Sequence, residues 1–133
     1  MINFGENILK DRNEYSKFLP SLIKIKEKAY KNLKVLIKIK NKGIYEIIFE
    51  DYILYQVRNE SFCVYYSEEI RKGDILIIFE KSNLLERLSK TPESLLIESH
   101  KQQYRHYGIY LVDHIIDIVA FNEPKIIKKF RAF

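Results

Sequence analysis

The sequence has no tryptophan, a single cysteine (Cys63), four glycines and three prolines in 133 residues. A lone cysteine excludes an intramolecular disulfide framework and suits a reducing compartment. The glycines (Gly5, Gly43, Gly73 and Gly108) are isolated, so no glycine-rich phosphate loop exists, and no serine sits in a nucleophile elbow. Apolar runs such as Ile75-Leu76-Ile77-Ile78-Phe79 have strand length, far short of the roughly 20 residues a membrane-spanning helix needs. The stretch from Met1 to Asn7 lacks both a basic region and an apolar one, so a cytoplasmic location is expected. No linker, repeat or low-complexity tract divides the chain, and one domain over residues 1–133 is expected.

What is present is apolar and basic. The apolar fraction is 47% and the aromatic fraction, all Tyr and Phe, is 14%, which places the chain among globular proteins. At this length roughly two-thirds of the unfolded surface is buried on folding, enough for a core without disulfide or metal. The net charge is +5, with 17 lysines against 6 arginines. Lysine, isoleucine, asparagine and tyrosine together are what an AT-rich coding sequence yields, whereas dedicated nucleic-acid surfaces lean on arginine. The basic character therefore reads first as a solvated face.

Periodicity supplies the elements. Pro20 suits the first turn of a helix over about 21–31, with Leu22, Ile25 and Ala29 as its apolar stripe, and Arg12 to Leu19 reads as a separate helical turn. From Leu33 the period becomes two. Leu33, Val35, Ile37 and Ile39 form a half-buried strand, joined through the turn Asn41-Lys42-Gly43 to a long second strand. In that strand Ile47, Phe49, Ile53, Tyr55 and Val57 share one side, and Glu50, Tyr52, Gln56, Arg58 and Glu60 the other. Asp51 interrupts the apolar side and marks a bulge or an edge. Ser61 to Tyr66 reads as a short strand and Asp74 to Phe79 as a central one. Ser82 is a candidate N-cap for a helix over about 83–90. Tyr104 to Val112 and Ile115 to Phe121 form a hairpin about Asp113-His114; Pro124 then stops the last strand, leaving a basic tail. The expected fold class is α+β: a mostly antiparallel sheet of five or six strands with one or two helices packed on one face. Tyr52, Leu54, Tyr104, Tyr110, Val119 and Phe121 fall on the face opposite the main core. That face is either covered by the N-terminal segment and tail or meets a partner.

Few constellations carry chemistry. His100, His106 and His114 lack metal-ligand spacing, and no cofactor is implied. Cys63, among Phe62, Val64 and Tyr65, reads as a small buried hydrophobe. The one notable cluster sets Arg58-Asn59-Glu60 beside Arg105-His106-Tyr107 on neighbouring strands. An acid, a phosphate clamp and a base on one sheet face are the needs of a metal-independent ribonuclease. The bland equivalent is a cross-strand ion pair with a Tyr–His hydrogen bond. Tyr52, Arg58, Glu60, Tyr104, His106 and Tyr110 are the candidate binding residues, with none assigned as catalytic and no metal site.

Phe49-Glu50-Asp51-Tyr52-Ile53-Leu54-Tyr55-Gln56-Val57-Arg58-Asn59-Glu60, Lys81-Ser82 with Leu84-Leu85, His106-Tyr107-Gly108-Ile109-Tyr110, Ile116-Asp117-Ile118-Val119 and Glu123-Pro124 together resemble a group of small bacterial proteins. Some of these look like cytoplasmic immunity partners of secreted toxins. The resemblance spans about residues 45–126. It implies a non-enzymatic domain that binds and occludes a toxin, so a protein partner is expected and no membrane. The alternative is a nucleic-acid-binding protein or ribonuclease using Lys24, Lys26, Lys28, Lys31, Lys34, Lys38, Lys40 and Lys42 with the Arg58, Glu60, Arg105 and His106 cluster.

Overall fold

The structure, a computed structural model, describes residues 20–28, 32–40, 42–59, 69–73, 75–92 and 103–130. Among these residues the elements run β1 (Ser21–Lys28), β2 (Asn32–Ile39), β3 (Gly43–Phe49), β4 (Tyr52–Asn59), β5 (Ile70–Lys72), β6 (Leu76–Lys81), α1 (Asn83–Ser89), β7 (Arg105–Tyr110), β8 (His114–Ala120) and β9 (Lys125–Phe130). The strands form two antiparallel sheets, one ordered β1-β2-β3-β9 and the other β4-β8-β7-β6-β5. Among the described residues the fold is therefore richer in strands than the five or six expected, with one short helix rather than a helical layer.

The sheets face each other across one core. From the four-stranded sheet come Leu33, Val35, Ile37 and Ile39 on β2 and Tyr45, Ile47 and Phe49 on β3. From the other come Leu76, Tyr107, Ile109, Ile116, Ile118 and Ala120, flanked by the loop residues Ile75 and Leu111. Strict alternation is what sends these side chains to one side. Phe49 and Tyr107 meet across the core at 5.5 Å between ring centroids. Each fully buried aliphatic or aromatic side chain contributes about 1.5–3 kcal/mol. Burial also pushes the Tyr107 hydroxyl up to about 12.

Two bent strands join the sheets. β3 pairs with β9, and β4 pairs with β8, in one nearly continuous antiparallel ladder from Ile44↔Phe130 to Asn59↔His114. The ladder breaks at Glu50-Asp51, where Asp51 adopts φ +53°. Aspartate tolerates this left-handed conformation because its short polar side chain can hydrogen-bond locally. The interruption expected at Asp51 is thus the corner between the sheets. Glu50 and Lys125 form an ion pair of 2.6 Å across that corner.

Four expectations need correction. The segment expected as a helix over 21–31 is strand β1 through Lys28, pairing Lys26 with Lys34 and Ile25 with Val35. Its spacing of Leu22 and Ile25 mimics a helical stripe because a bulge between Leu22 and Lys24 adds one residue to an alternating pattern. The basic tail is strand β9, paired with β3 through Lys125–Phe130. The last hairpin turns through Leu111 to Asp113, with His114 already in β8. In β4 a register shift between Tyr52 and Leu54 changes the phase. Tyr52 therefore joins Tyr55 on the core side, not Gln56 and Arg58. Burial and a hydrogen bond to Glu27 of β1 raise the Tyr52 hydroxyl to about 12.

Other readings agree with the structure. β2 and β3 form the expected hairpin, closed by Lys42 N–H donating to the Ile39 carbonyl at 3.0 Å. The helix begins where expected: the Leu85 N–H donates to Ser82 Oγ at 3.1 Å. Arg12 to Leu19, and Ser61 to Tyr66 with Cys63, lie outside the described residues.

Candidate functional site

The outer face of the five-stranded sheet, away from the shared core, carries the polar cluster. Alternation places Gln56 and Arg58 of β4, Asp117 of β8 and His106 of β7 on it. Gln56 lies directly opposite Asp117, and His106 opposite Val119, which makes His106 a diagonal neighbour of Asp117. Phe79 of β6 lies opposite His106, and the two rings stack at 3.7 Å with a 1° interplanar angle. Gly108, between them and Tyr110, makes this stack possible. A Cβ there would stand 3.1 Å from the Phe79 ring and 3.2 Å from that of Tyr110.

Helix α1 brings in the last member. Ser82 Oγ lies 2.6 Å from His106 Nδ1 while capping the helix. Glu69 fastens the same helix end, accepting from the Asn83 N–H at 2.9 Å and from Arg71 at 3.2 Å. Beyond the cluster, Leu84, Leu85 and Leu88 of α1 pack with Ile53, Leu54, Tyr104, Val119 and Phe121. Four of the six residues expected opposite the main core are in that group. Tyr110 lies on the same face and is half-buried. Tyr52 is the exception. The helix supplies part of the cover on this face, whereas the C-terminal strand lies in the other sheet.

Asp117 organises the cluster and is 1% exposed. Its Oδ1 accepts from His106 Nε2 at 2.7 Å and Arg58 Nη2 at 3.2 Å. Its Oδ2 accepts from Arg58 Nε at 2.6 Å and Gln56 Nε2 at 2.9 Å. All four lone-pair positions are used. Burial pushes the carboxyl pKa up, but the hydrogen bonds from His106 and Gln56 and the Arg58 charge outweigh it, and the net shift is downward. An ionised Asp117 only accepts, so His106 Nε2–H donates to it, and Nδ1 shares a second hydrogen bond with the Ser82 hydroxyl. Ser82 Oγ in turn accepts from Leu85. Every donor in the chain Leu85–Ser82–His106–Asp117 has an acceptor.

Serine, histidine and aspartate in sequence are the parts of a nucleophilic relay. Three features oppose that use here. His106 is 2% exposed and lies flat on Phe79. Arg58 already neutralises the carboxylate that would stabilise an imidazolium. A cleft of about 370 Å3 opens nearby, but it is lined by Lys72, Ile78, Phe79, Glu80, Leu85, Tyr104 and Arg105, not by the relay residues. A nucleophile needs space for a reacting atom about 3 Å away.

Of the candidate residues, Arg58 and His106 are brought together through Asp117, and Glu60 lies outside the described residues. Tyr104 lines the cleft and Tyr110 sits beside Gly108. Sequence reasoning missed Asp117 and Ser82 as partners of His106. The signal was Asp117 itself, a lone acid inside Ile115-Ile116-Asp117-Ile118-Val119, since a carboxylate in an apolar strand requires buried donors. Among the described residues no three His, Cys, Asp or Glu side chains converge as a metal site would need, and no helix is long and apolar enough to cross a membrane.

The outer face of the four-stranded sheet differs in kind. By alternation it carries Lys24, Lys26 and Lys28 of β1, Lys34 and Lys38 of β2, and Lys125 and Lys129 of β9. Its centre holds Leu36, Ile44, Ile48 and Ile127 around a buried Glu46. Glu46 draws Lys129 Nζ to 3.8 Å and Lys34 Nζ to 4.0 Å. The neighbouring Lys24 ammonium on the same strand lowers the pKa of Lys26.

Comparison with protein-family models, with curated proteins and with solved structures gave no match.

Proposed function

We propose that this chain is a non-enzymatic binding domain, of the immunity-like kind that neutralises a toxin by occluding it. The observation that carries this reading is the saturation of Asp117. Its carboxylate, itself buried, accepts four hydrogen bonds, so the most reactive-looking group of residues is occupied in holding β4, β7, β8 and α1 together. Such a network rigidifies a fold when each member is satisfied. A domain of this kind acts by presenting a surface, and it acts stoichiometrically. The ribonuclease alternative rests on Glu60, which lies outside the described residues; Asp117, the carboxylate that Arg58 and His106 do meet, is taken up by four hydrogen bonds.

Titrating the chain into an activity assay of a toxin-like product encoded beside it tests the reading. Inhibition with a one-to-one endpoint, unchanged in Ser82→Ala, is the expected result. Inhibition by far less than one equivalent, lost in His106→Ala, would replace occlusion with turnover.

A further inference from the structure

We infer that the lysine-rich outer face of the four-stranded sheet is the docking surface, and that its occupant is an acidic protein surface with an aliphatic centre. The inference rests on the binding-domain reading and names the surface and the chemistry of the partner. Seven lysines from three strands frame this face: Lys24, Lys26 and Lys28 on β1, Lys34 and Lys38 on β2, and Lys125 and Lys129 on β9. Among the described residues, Glu46 and the corner residue Glu50 answer them there. Residues from both ends of the described chain are thus gathered on one side. Crowding is evident at Lys24 and Lys26, two residues apart on one edge strand and both exposed.

Charge decides against a second copy of this chain. A two-fold contact through this face would set the same patch against itself, seven lysines opposing seven. The centre of the face argues against RNA. Sheet surfaces that bind single strands stack bases on aromatic rings and use arginine, whereas the described residues here are Leu36, Ile44, Ile48 and Ile127 with lysine as the cation. An aliphatic centre inside a charged rim is the anatomy of a protein interface. Ile127, 42% exposed, is the residue such a partner would cover. The lysine rim steers an acidic partner and fixes its register.

The test uses the full chain with three probes: an acidic helical peptide whose leucine stripe is flanked by glutamates, a mixed-sequence single-stranded RNA, and vesicles containing phosphatidylserine. The peptide is expected to bind most tightly. Lys24→Glu/Lys26→Glu is expected to weaken it about tenfold or more, and Ile127→Ser to weaken it without changing its salt dependence. Lys81→Glu/Lys90→Glu, an equal change in net charge on other elements, is expected to leave affinity within about twofold. Circular dichroism verifies folding of each variant; both β1 lysines are exposed, so that pair keeps the test open if Ile127→Ser fails to fold. Tighter binding to RNA or to vesicles than to the peptide overturns the inference, as does equal loss in the two lysine pairs. One-to-one toxin inhibition that survives Lys24→Glu/Lys26→Glu overturns the surface while leaving the binding-domain reading intact. Catalytic inhibition overturns that reading instead.

Discussion

On the outer face of the five-stranded sheet, one buried carboxylate is surrounded by four donors. On the outer face of the four-stranded sheet, seven lysines share two glutamates. The first face has its polar groups matched inside the molecule: Asp117 with Arg58, Gln56 and His106, and His106 with Ser82. The second leaves most of its charge to solvent. A matched network around a buried carboxylate gives stability and a unique arrangement. An unmatched, wet charge array contributes little to stability, since exposed ion pairs are worth about 0–1 kcal/mol. It is, however, free to attract a partner. On the proposed reading, structure and function separate by sheet.

The strongest way to break this contrast is Asp117→Ala. Removing the common acceptor leaves a buried histidine and a half-buried guanidinium without their partner, a loss of about 3–5 kcal/mol. Urea denaturation is expected to show a large fall in midpoint; a change below about 1 kcal/mol would mean that the network is not structural. Gly108→Val attacks the same face through packing. Its side chain meets Phe79 and Tyr110, and overpacking of this kind costs about 1–3 kcal/mol. Ser82→Ala is expected to cost about 1 kcal/mol through the lost helix cap. Its measurable signature is lowered amide protection at Leu85.

Acid titration sharpens the comparison without mutation. The Asp117 carboxyl is depressed below its unfolded value of 3.8 in the folded state. Its contribution is therefore full above that pH and is lost as the pH falls through the lower, folded-state value. Stability of the wild type is expected to fall steeply in that acid window, and that of Asp117→Ala more gently. The smallest effect belongs to the other face. Lys26→Gln is expected to leave the urea midpoint unchanged, although it removes charge from the proposed docking rim.

The legible part of this fold was the part written in side-chain alternation. β2, β3 and the β7–β8 hairpin follow from runs such as Leu33, Val35, Ile37 and Ile39, whose inward positions are all buried. The helix start was legible from Ser82, because a cap is a local device. β1 was not, since a bulge at Leu22–Lys24 shifts an alternating pattern into one that resembles a helical stripe. Nor was β9, where Lys125, Lys128 and Lys129 equal the apolar residues in number and break their alternation, and only pairing with β3 makes a strand of them. The candidate site was half legible. The sequence offers Arg58 and His106 as possible neighbours in an antiparallel sheet, and the structure sets them two strands apart. β8 lies between them, and its Asp117 is the group that joins them. Which strand intervenes is a long-range fact, decided by how the bent β3–β4 and β8–β9 ladder wraps, and local periodicity does not encode it.

The division between a closed face and a working face is tested most directly by amide chemical-shift mapping. The acidic peptide is titrated into isotopically labelled protein at low and moderate salt. The account predicts shifts confined to β1, β2, β3 and β9, centred on Lys24, Lys26, Leu36 and Ile127, with Gln56, Ser82, His106 and Asp117 unmoved. Shifts centred on β7, β8 and α1, with the lysine face silent, would contradict it.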